Sequence, residues 1–246
     1  MRISFVIPAY NEEKNLPQCL ESVRVEIDRT PSDAEVIVVN NASTDNTGEV
    51  ARGYDFVIVV DEPNKGLVRA RHAGQEASTG EIVAHIDADT TLTQGWLATV
   101  LKEFEKDENL AALSGPYIYY DLSPIHRGIT KVFYSIGYLS HLINHHILNK
   151  GAMLQGGNFI VRRAHMDQIG GFDTTIEFYG EDTDIAKRIS KVGRVKWTFK
   201  LPMYTSGRRL KKEGVIKTGW RYMINHFHTL LRGKPFTKEY TDVRDS

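Results

Sequence analysis

Short β-rich runs at residues 3–7, 35–39, 56–60 and 81–86 alternate with helical stretches at 12–27, 44–51, 65–77 and 94–104. Such alternation implies right-handed βαβ crossovers. It predicts an α/β fold, Rossmann-like, with a mostly parallel sheet and helices on both faces. The strands read as unbroken apolar runs (VIVV, FVIVV), the pattern of strands covered on both sides. With 246 residues, 41% of them hydrophobic, the chain can build a sizeable core.

Ligands of such sheets gather at the carboxyl ends of the strands. Here those ends carry Pro8, Ala9, Tyr10 and Asn11; then Asn40, Asn41, Ala42 and Ser43; then Asp87, Ala88 and Asp89. Three loops therefore converge on one edge. The first strand is not followed by a glycine-rich loop, which argues against a dinucleotide-binding domain and a P-loop. The 31 basic residues balance 31 acidic ones, so no global field draws nucleic acid and none is expected as a partner. A lone Cys19 excludes an internal disulfide and a cysteine cluster for zinc.

The second half is less regular. Residues 110–120 read as a strand ending in Tyr117, Tyr119 and Tyr120. Residues 125–149 read as a long helix, with Ile129, Val132, Phe133, Ile136, Leu139, Ile143 and Ile147 along one face. Residues 155–162 read as a strand and 182–192 as a helix. The segment 207–234 holds eight Lys or Arg against Glu213 alone, and the last dozen residues are polar and expected to be loose.

Asp87 and Asp89 follow a buried strand and point into the expected crevice. Adjacent carboxylates repel unless a cation lies between them. A hard ion shared with phosphate oxygens, Mn2+ or Mg2+, fits such a pair. Asp89 is the expected direct ligand, with Asp87 on the ribose or in the outer shell of the metal. Two solvated loop aspartates would read alike in isolation. Further on, Glu181 and Asp182 open a helix after Gly180, where carboxylates face its positive end. Paired glycines at Gly156 and Gly157, before Asn158, allow backbone to approach a ligand closely.

Six segments in order, VIPAYNEEKNL, VVNNASTDNT, NKGLVRARHAG, DAD, GGNFIVRR and GEDTDIAKRI, resemble glycosyltransferase family 2, the inverting enzymes of the GT-A fold. The resemblance covers about residues 1–210. It implies a GT-A catalytic domain with a nucleotide-sugar-binding half (1–110) and an acceptor half (111–210). A basic, amphipathic helical appendage follows at 211–246. It further implies that Pro8, Ala9, Tyr10 and Glu12 shape the nucleoside pocket. Asn40 stands where the family has a base-reading aspartate, Asn41 replaces the aspartate that commonly follows, and Ala42 replaces the usual glycine. Asparagine donates as well as accepts, which leaves uracil, guanine and thymine open. Arg71 is implied at the ribose or phosphates, whereas Lys65 reads as a surface base. Asp182 becomes the base, with Glu181 supporting it or contacting the acceptor. Gly156, Gly157 and Asn158 fall beside sugar and acceptor. Arg208 and Arg209 hold the pyrophosphate or a phosphate-bearing acceptor.

The expected function is therefore metal-dependent, inverting transfer of a sugar from a nucleoside-diphosphate sugar to a hydroxyl of a glycan or lipid-linked acceptor. The alternatives are a sugar nucleotidyltransferase and a non-catalytic nucleotide-sugar-binding module. His226 and His228 sit two apart on a helix and face different ways; either can be read as a metal ligand or as a structural histidine. Residues 215–231 form a basic amphipathic helix that either lies in a membrane interface, joined by the stripe at 129–147, or packs on the core. The N-terminus lacks a signal-peptide pattern, and no uncharged apolar run is long enough to span a membrane. The expectation is a cytoplasmic protein with peripheral contact at the inner face of the cell membrane.

Overall fold

The computed structural model describes residues 1–143, 153–176 and 178–237. Strand β1 (Arg2–Ala9) leads into α1 (Leu16–Arg29), and the alternation continues through β2 (Asp33–Asn41), α2 (Thr47–Arg52), β3 (Val57–Glu62), α3 (Leu67–Ala77) and β4 (Ile82–Ile86). A short β5 (Thr90–Leu92) precedes α4 (Trp96–Lys106), β6 (Leu110–Ser114), β7 (Tyr117–Tyr119) and α5 (Pro124–Ile143). Then come β8 (Asn158–Arg162), α6 (Arg163–Gln168), α7 (Glu181–Ile189), β9 (Arg194–Trp197), β10 (Met203–Thr205), α8 (Arg208–Glu213) and α9 (Val215–Arg232).

Seven strands form one sheet in the order β3-β2-β1-β4-β8-β6-β9. The first four are mutually parallel. β8 runs antiparallel to both β4 and β6, and β9 lies parallel to β6. Strand alternation sends side chains to opposite faces. Ile3, Phe5 and Ile7 pack with Leu20 of α1 and Leu97 of α4. Val6 packs on the other face with Val68 of α3 and Ile185 of α7. Gly74 lets α3 lie close on the sheet, since a Cβ there would meet Val6 Cγ1 at 2.3 Å. The expected α/β sheet with helices on both faces and a helical C-terminal part is thus present.

Two expectations change. The 110–120 strand divides at Gly115 and Pro116: β6 stays in the large sheet, while β7 joins β5 and β10 in a separate three-stranded sheet. Gly115 packs against the chain at Leu201, where a Cβ would lie 2.0 Å from the carbonyl oxygen. The apolar face expected over 129–147 also divides. Ile129 and Phe133 are half-buried, but Val132, Ile136 and Leu139 are exposed. Ile147 lies outside the described residues, as does the end of the tail.

Asn158 ties these pieces together. It is fully buried; its amide nitrogen donates to the carbonyls of Gly115 and Leu201, both at 3.0 Å, and its oxygen accepts from Trp96 Nε1 at 3.3 Å. Loss of a buried amide strands each partner. Asn158→Ala is expected to cost roughly 3–5 kcal/mol, read as a lower urea midpoint with unchanged slope.

Candidate active site

The carboxyl ends of β1 and β4, the start of α7 and the turn before α8 meet around a cavity of about 360 Å³. Its lining includes Pro8, Glu12, Arg71, Asp87, Asp89, Gly156, Glu181, Asp182, Arg208 and Arg209. The three carboxylates singled out in the sequence, Asp87, Asp89 and Asp182, therefore face one space.

Arg71, projecting from α3, organises the centre. It is only 1% exposed, and its guanidinium donates to Asp87 Oδ1 at 2.9 Å and to Glu181. Glu181 is also buried, with Arg71 as its cationic partner. Asp182 follows at the helix start. Its Oδ2 accepts from the Gly156 N–H at 3.1 Å and its Oδ1 from the Thr183 N–H at 2.7 Å. Three acidic residues in this first turn face the positive helix end.

Tyr117 connects the two carboxylate groups. Its hydroxyl lies 2.7 Å from the Gly156 carbonyl oxygen and 3.1 Å from Asp87 Oδ2. Burial, reinforced by Asp87 and Asp89, pushes this hydroxyl well above its usual range, so it remains a donor. Gly157 sits below. Its φ is +79°, and a Cβ would fall 2.1 Å from Asp87 Oδ2, so no side chain fits while Asp87 holds its place.

On the opposite wall, Arg208 reaches Asp89 Oδ2 at 3.1 Å and Glu12 Oε2 at 3.1 Å. Burial works against its charge, but Asp89 and Glu12 more than offset this and hold it charged. Asp121 fixes the turn that carries Arg208 by accepting from the Gly207 N–H at 2.6 Å. Arg209 pairs with Glu213 at 3.0 Å and lies over the Phe178 ring.

A smaller hollow adjoins the cavity. Its lining includes Pro8, Ala9, Tyr10, Asn41, Lys65 and Gly66, and Lys65 Nζ sits 3.8 Å over the Tyr10 ring. Asn40 is not in it. Adjacent residues of a strand face opposite ways, and Asn40 points to Asp61, 2.8 Å away. Asn41 takes the site-facing position, with its side chain bound to the 62–66 loop. The parity of β2 was the available signal. Ala42, in the expected glycine position, has a φ of +56°.

Asn158 lies outside both linings, as a framework residue. Tyr117 and His226 are the lining residues that the sequence underweighted. His226 Nδ1 is 3.1 Å from Thr183 Oγ1, and burial lowers its pKa while Asp182 acts in the opposite sense. His228 turns instead to the Lys234 carbonyl at 2.6 Å.

Among the described residues, no group of three or more His, Cys, Asp or Glu side chains is arranged to hold a metal. Asp87 and Asp89 supply two hard oxygen donors on one cavity wall. That fits a divalent ion completed by phosphate oxygens and water rather than one caged by protein alone.

The sequence model described as glycosyl transferase family 2 matches residues 4–170, and one described as the N-terminal domain of galactosyltransferase matches 139–226. Hyaluronan synthase of Pasteurella multocida is 28% identical over 91% of this chain and 22% of its own length. The probable glycosyltransferase YdaM of Bacillus subtilis is 28% identical over 78% of this chain and 47% of its own length. Glycosyltransferase AglE of Haloferax volcanii is 39% identical over 39% of this chain and 33% of its own length. The chain thus spans less than half of each of these relatives. Among solved structures, mannosyltransferase PcManGT of Pyrobaculum calidifontis, in complex with GDP-Man and Mn2+, superposes with TM-score 0.71 and 22% identity, covering 94% of this chain and 64% of that one. S. aureus TarS with UDP-GlcNAc gives 0.61 and 18% identity, over 84% of this chain and 58% of that one. These likenesses establish the fold.

Removing Arg71 would leave Glu181 buried without its cation. Arg71→Met is expected to cost about 3–5 kcal/mol. Adding Glu181→Gln should restore part of that, read as a non-additive cycle in urea unfolding.

Proposed function

The chain belongs to glycosyl transferase family 2, and on that premise we propose that it moves a sugar from a nucleoside-diphosphate sugar to an acceptor hydroxyl with inversion at the anomeric carbon. The observation that carries the reading is Asp182 in the same cavity as Asp87 and Asp89, joined to Asp87 through Tyr117 and Gly156. The GDP-Man and UDP-GlcNAc bound to two structural relatives support the donor class.

The acceptor hydroxyl approaches Asp182, whose carboxylate is held in orientation by the Gly156 and Thr183 amides. As its oxygen bonds to the anomeric carbon, its proton passes to Asp182. The bond from that carbon to the diphosphate oxygen breaks, and the electron pair leaves with the diphosphate. One displacement inverts the carbon, and no enzyme nucleophile is required. Cys19 is buried, and burial pushes its thiol strongly up, away from the reactive thiolate. Arg208 carries positive charge on the wall that would face the departing phosphates. A Mn2+ or Mg2+ ion at Asp89 and Asp87 would supply Lewis-acid stabilisation of that leaving group. The nucleoside is assigned to the hollow beside Tyr10 and Asn41, with Pro8, Ala9 and Glu12 framing its entrance. The acceptor is a glycan or a lipid-linked molecule, and the protein works at the cytoplasmic side, in peripheral contact with the membrane.

Incubation with a panel of UDP-, GDP- and TDP-sugars and manganese tests this. Slow release of nucleoside diphosphate is expected; pyrophosphate release would indicate a nucleotidyltransferase, and no turnover with retained binding a non-catalytic module. Asp182→Asn is expected to lower transfer by about 10²–10⁴-fold while metal-dependent donor binding persists. Equal loss of binding would show that Asp182 is not the base. Asp89→Ala should abolish the manganese dependence of nucleoside-diphosphate binding in a thermal-shift titration.

A further inference from the structure

Beside its charged groups, the catalytic cavity is lined by apolar side chains for which the transfer chemistry has no role. Phe133 and Ile136 come from α5, and Met223 and Phe227 from α9. A base or a sugar ring packs its flat face on an aromatic side chain, but the aliphatic Ile136 and Met223 beside the two phenylalanines extend the wall beyond what one such ring covers. The two helices meet in a close seam: a Cβ on Gly219 would lie 2.6 Å from the Phe133 ring. Ile136 is 44% exposed and Phe227 41% exposed, yet both line the cavity. The inner wall is therefore also outer surface along this seam.

The apolar surface continues on either side. Val132 and Leu139 are exposed on α5, and Ile216, Trp220, Ile224 and Leu231 on α9. At 3.6 residues per turn, Ile216, Trp220, Ile224, Phe227 and Leu231 of α9 fall in one stripe about 80° wide, with Tyr222 outside it. The helix is inverted relative to an ordinary surface helix. Its buried positions are Val215, Thr218, Asn225 and Thr229, three of them polar, and its large apolar residues face out. A contiguous exposed apolar surface of this kind marks an interaction site. Lys217 borders the stripe, is exposed and forms no ion pair among the described residues, whereas Arg232 lies about 80° beyond the stripe's edge, nearer the buried face. A lysine at the edge of an apolar stripe matches an anionic lipid surface. Among the described residues no helix is long and apolar enough to cross a membrane.

We propose that the acceptor is an amphiphile anchored in a lipid surface. Its hydroxyl-bearing head reaches Asp182, its hydrocarbon chain lies in the α5–α9 seam, and the outward stripes rest in the lipid interface. This rests on the transferase reading, whose bond-making step it leaves unchanged.

The test uses the full chain with manganese and a saturating nucleoside diphosphate, so that the donor side is filled. Binding of n-alkyl glucosides, from methyl to octyl and below micelle formation, is then measured by calorimetry. Affinity should rise by roughly three- to fourfold for each methylene buried, and Ile136→Glu should flatten that dependence. In parallel, the chain should float with vesicles of mixed phosphatidylcholine and phosphatidylglycerol at low salt. The double variant Trp220→Glu, Leu231→Glu should stay in the soluble fraction while still binding nucleoside diphosphate. Affinity independent of chain length, an unchanged slope in Ile136→Glu, or equal flotation of the double variant overturns the proposal. Absence of any nucleoside-diphosphate binding would instead sink the transferase reading, and this inference with it.

Discussion

One buried guanidinium holds the cavity together. Arg71 stands between Asp87, at the end of a parallel strand, and Glu181, at the start of a helix more than a hundred residues later. The buried Glu181 would be costly alone, and an arginine so enclosed is costly without anionic partners. The contact therefore works as a register mark. It fixes α3, β4 and α7 relative to one another and sets Asp182 across from the aspartate pair.

The sheet makes that meeting possible. Four parallel strands deliver their loops to one edge, and the antiparallel β8 then brings Gly156 and Gly157 to the same edge from the opposite direction. Parallel continuation would have delivered the carboxyl end of β8 instead. The backbone of the turn thus lies between the two acidic groups, with Tyr117 from the small second sheet touching both Asp87 and Gly156. Opposite, Arg208 satisfies Glu12 and Asp89 together. Every carboxylate named here is held in position by a specific partner, so the site is electrostatically organised through the fold itself.

The first half was legible because its physics is local. Apolar runs, helix periodicity and turn residues each act within a dozen positions, and the four parallel strands follow directly. The cavity lining was legible where it sits at a strand or helix end, as with Asp87, Asp89 and Asp182. It was less so where the deciding fact is a neighbour distant in sequence. Asn158 looks like a ligand beside two glycines, yet its amide is bound by Gly115, Leu201 and Trp96. Asn40 and Asn41 are indistinguishable by composition; only the direction of β2 side chains separates them. The apolar stripe of α9 was visible, but not that polar residues would occupy its buried side, because that depends on what it packs against.

Gly157 has an implication for how such a site can change. A methyl group at that position would collide with the Asp87 carboxylate, and the backbone there is of a kind that side chains resist. The glycine is therefore tied to the aspartate: residue 157 cannot gain a side chain while Asp87 holds its place. Any redesign of this cavity wall that begins by enlarging residue 157 would first displace the Asp87 carboxylate, whereas the walls of the α5–α9 seam can be rebuilt without touching it.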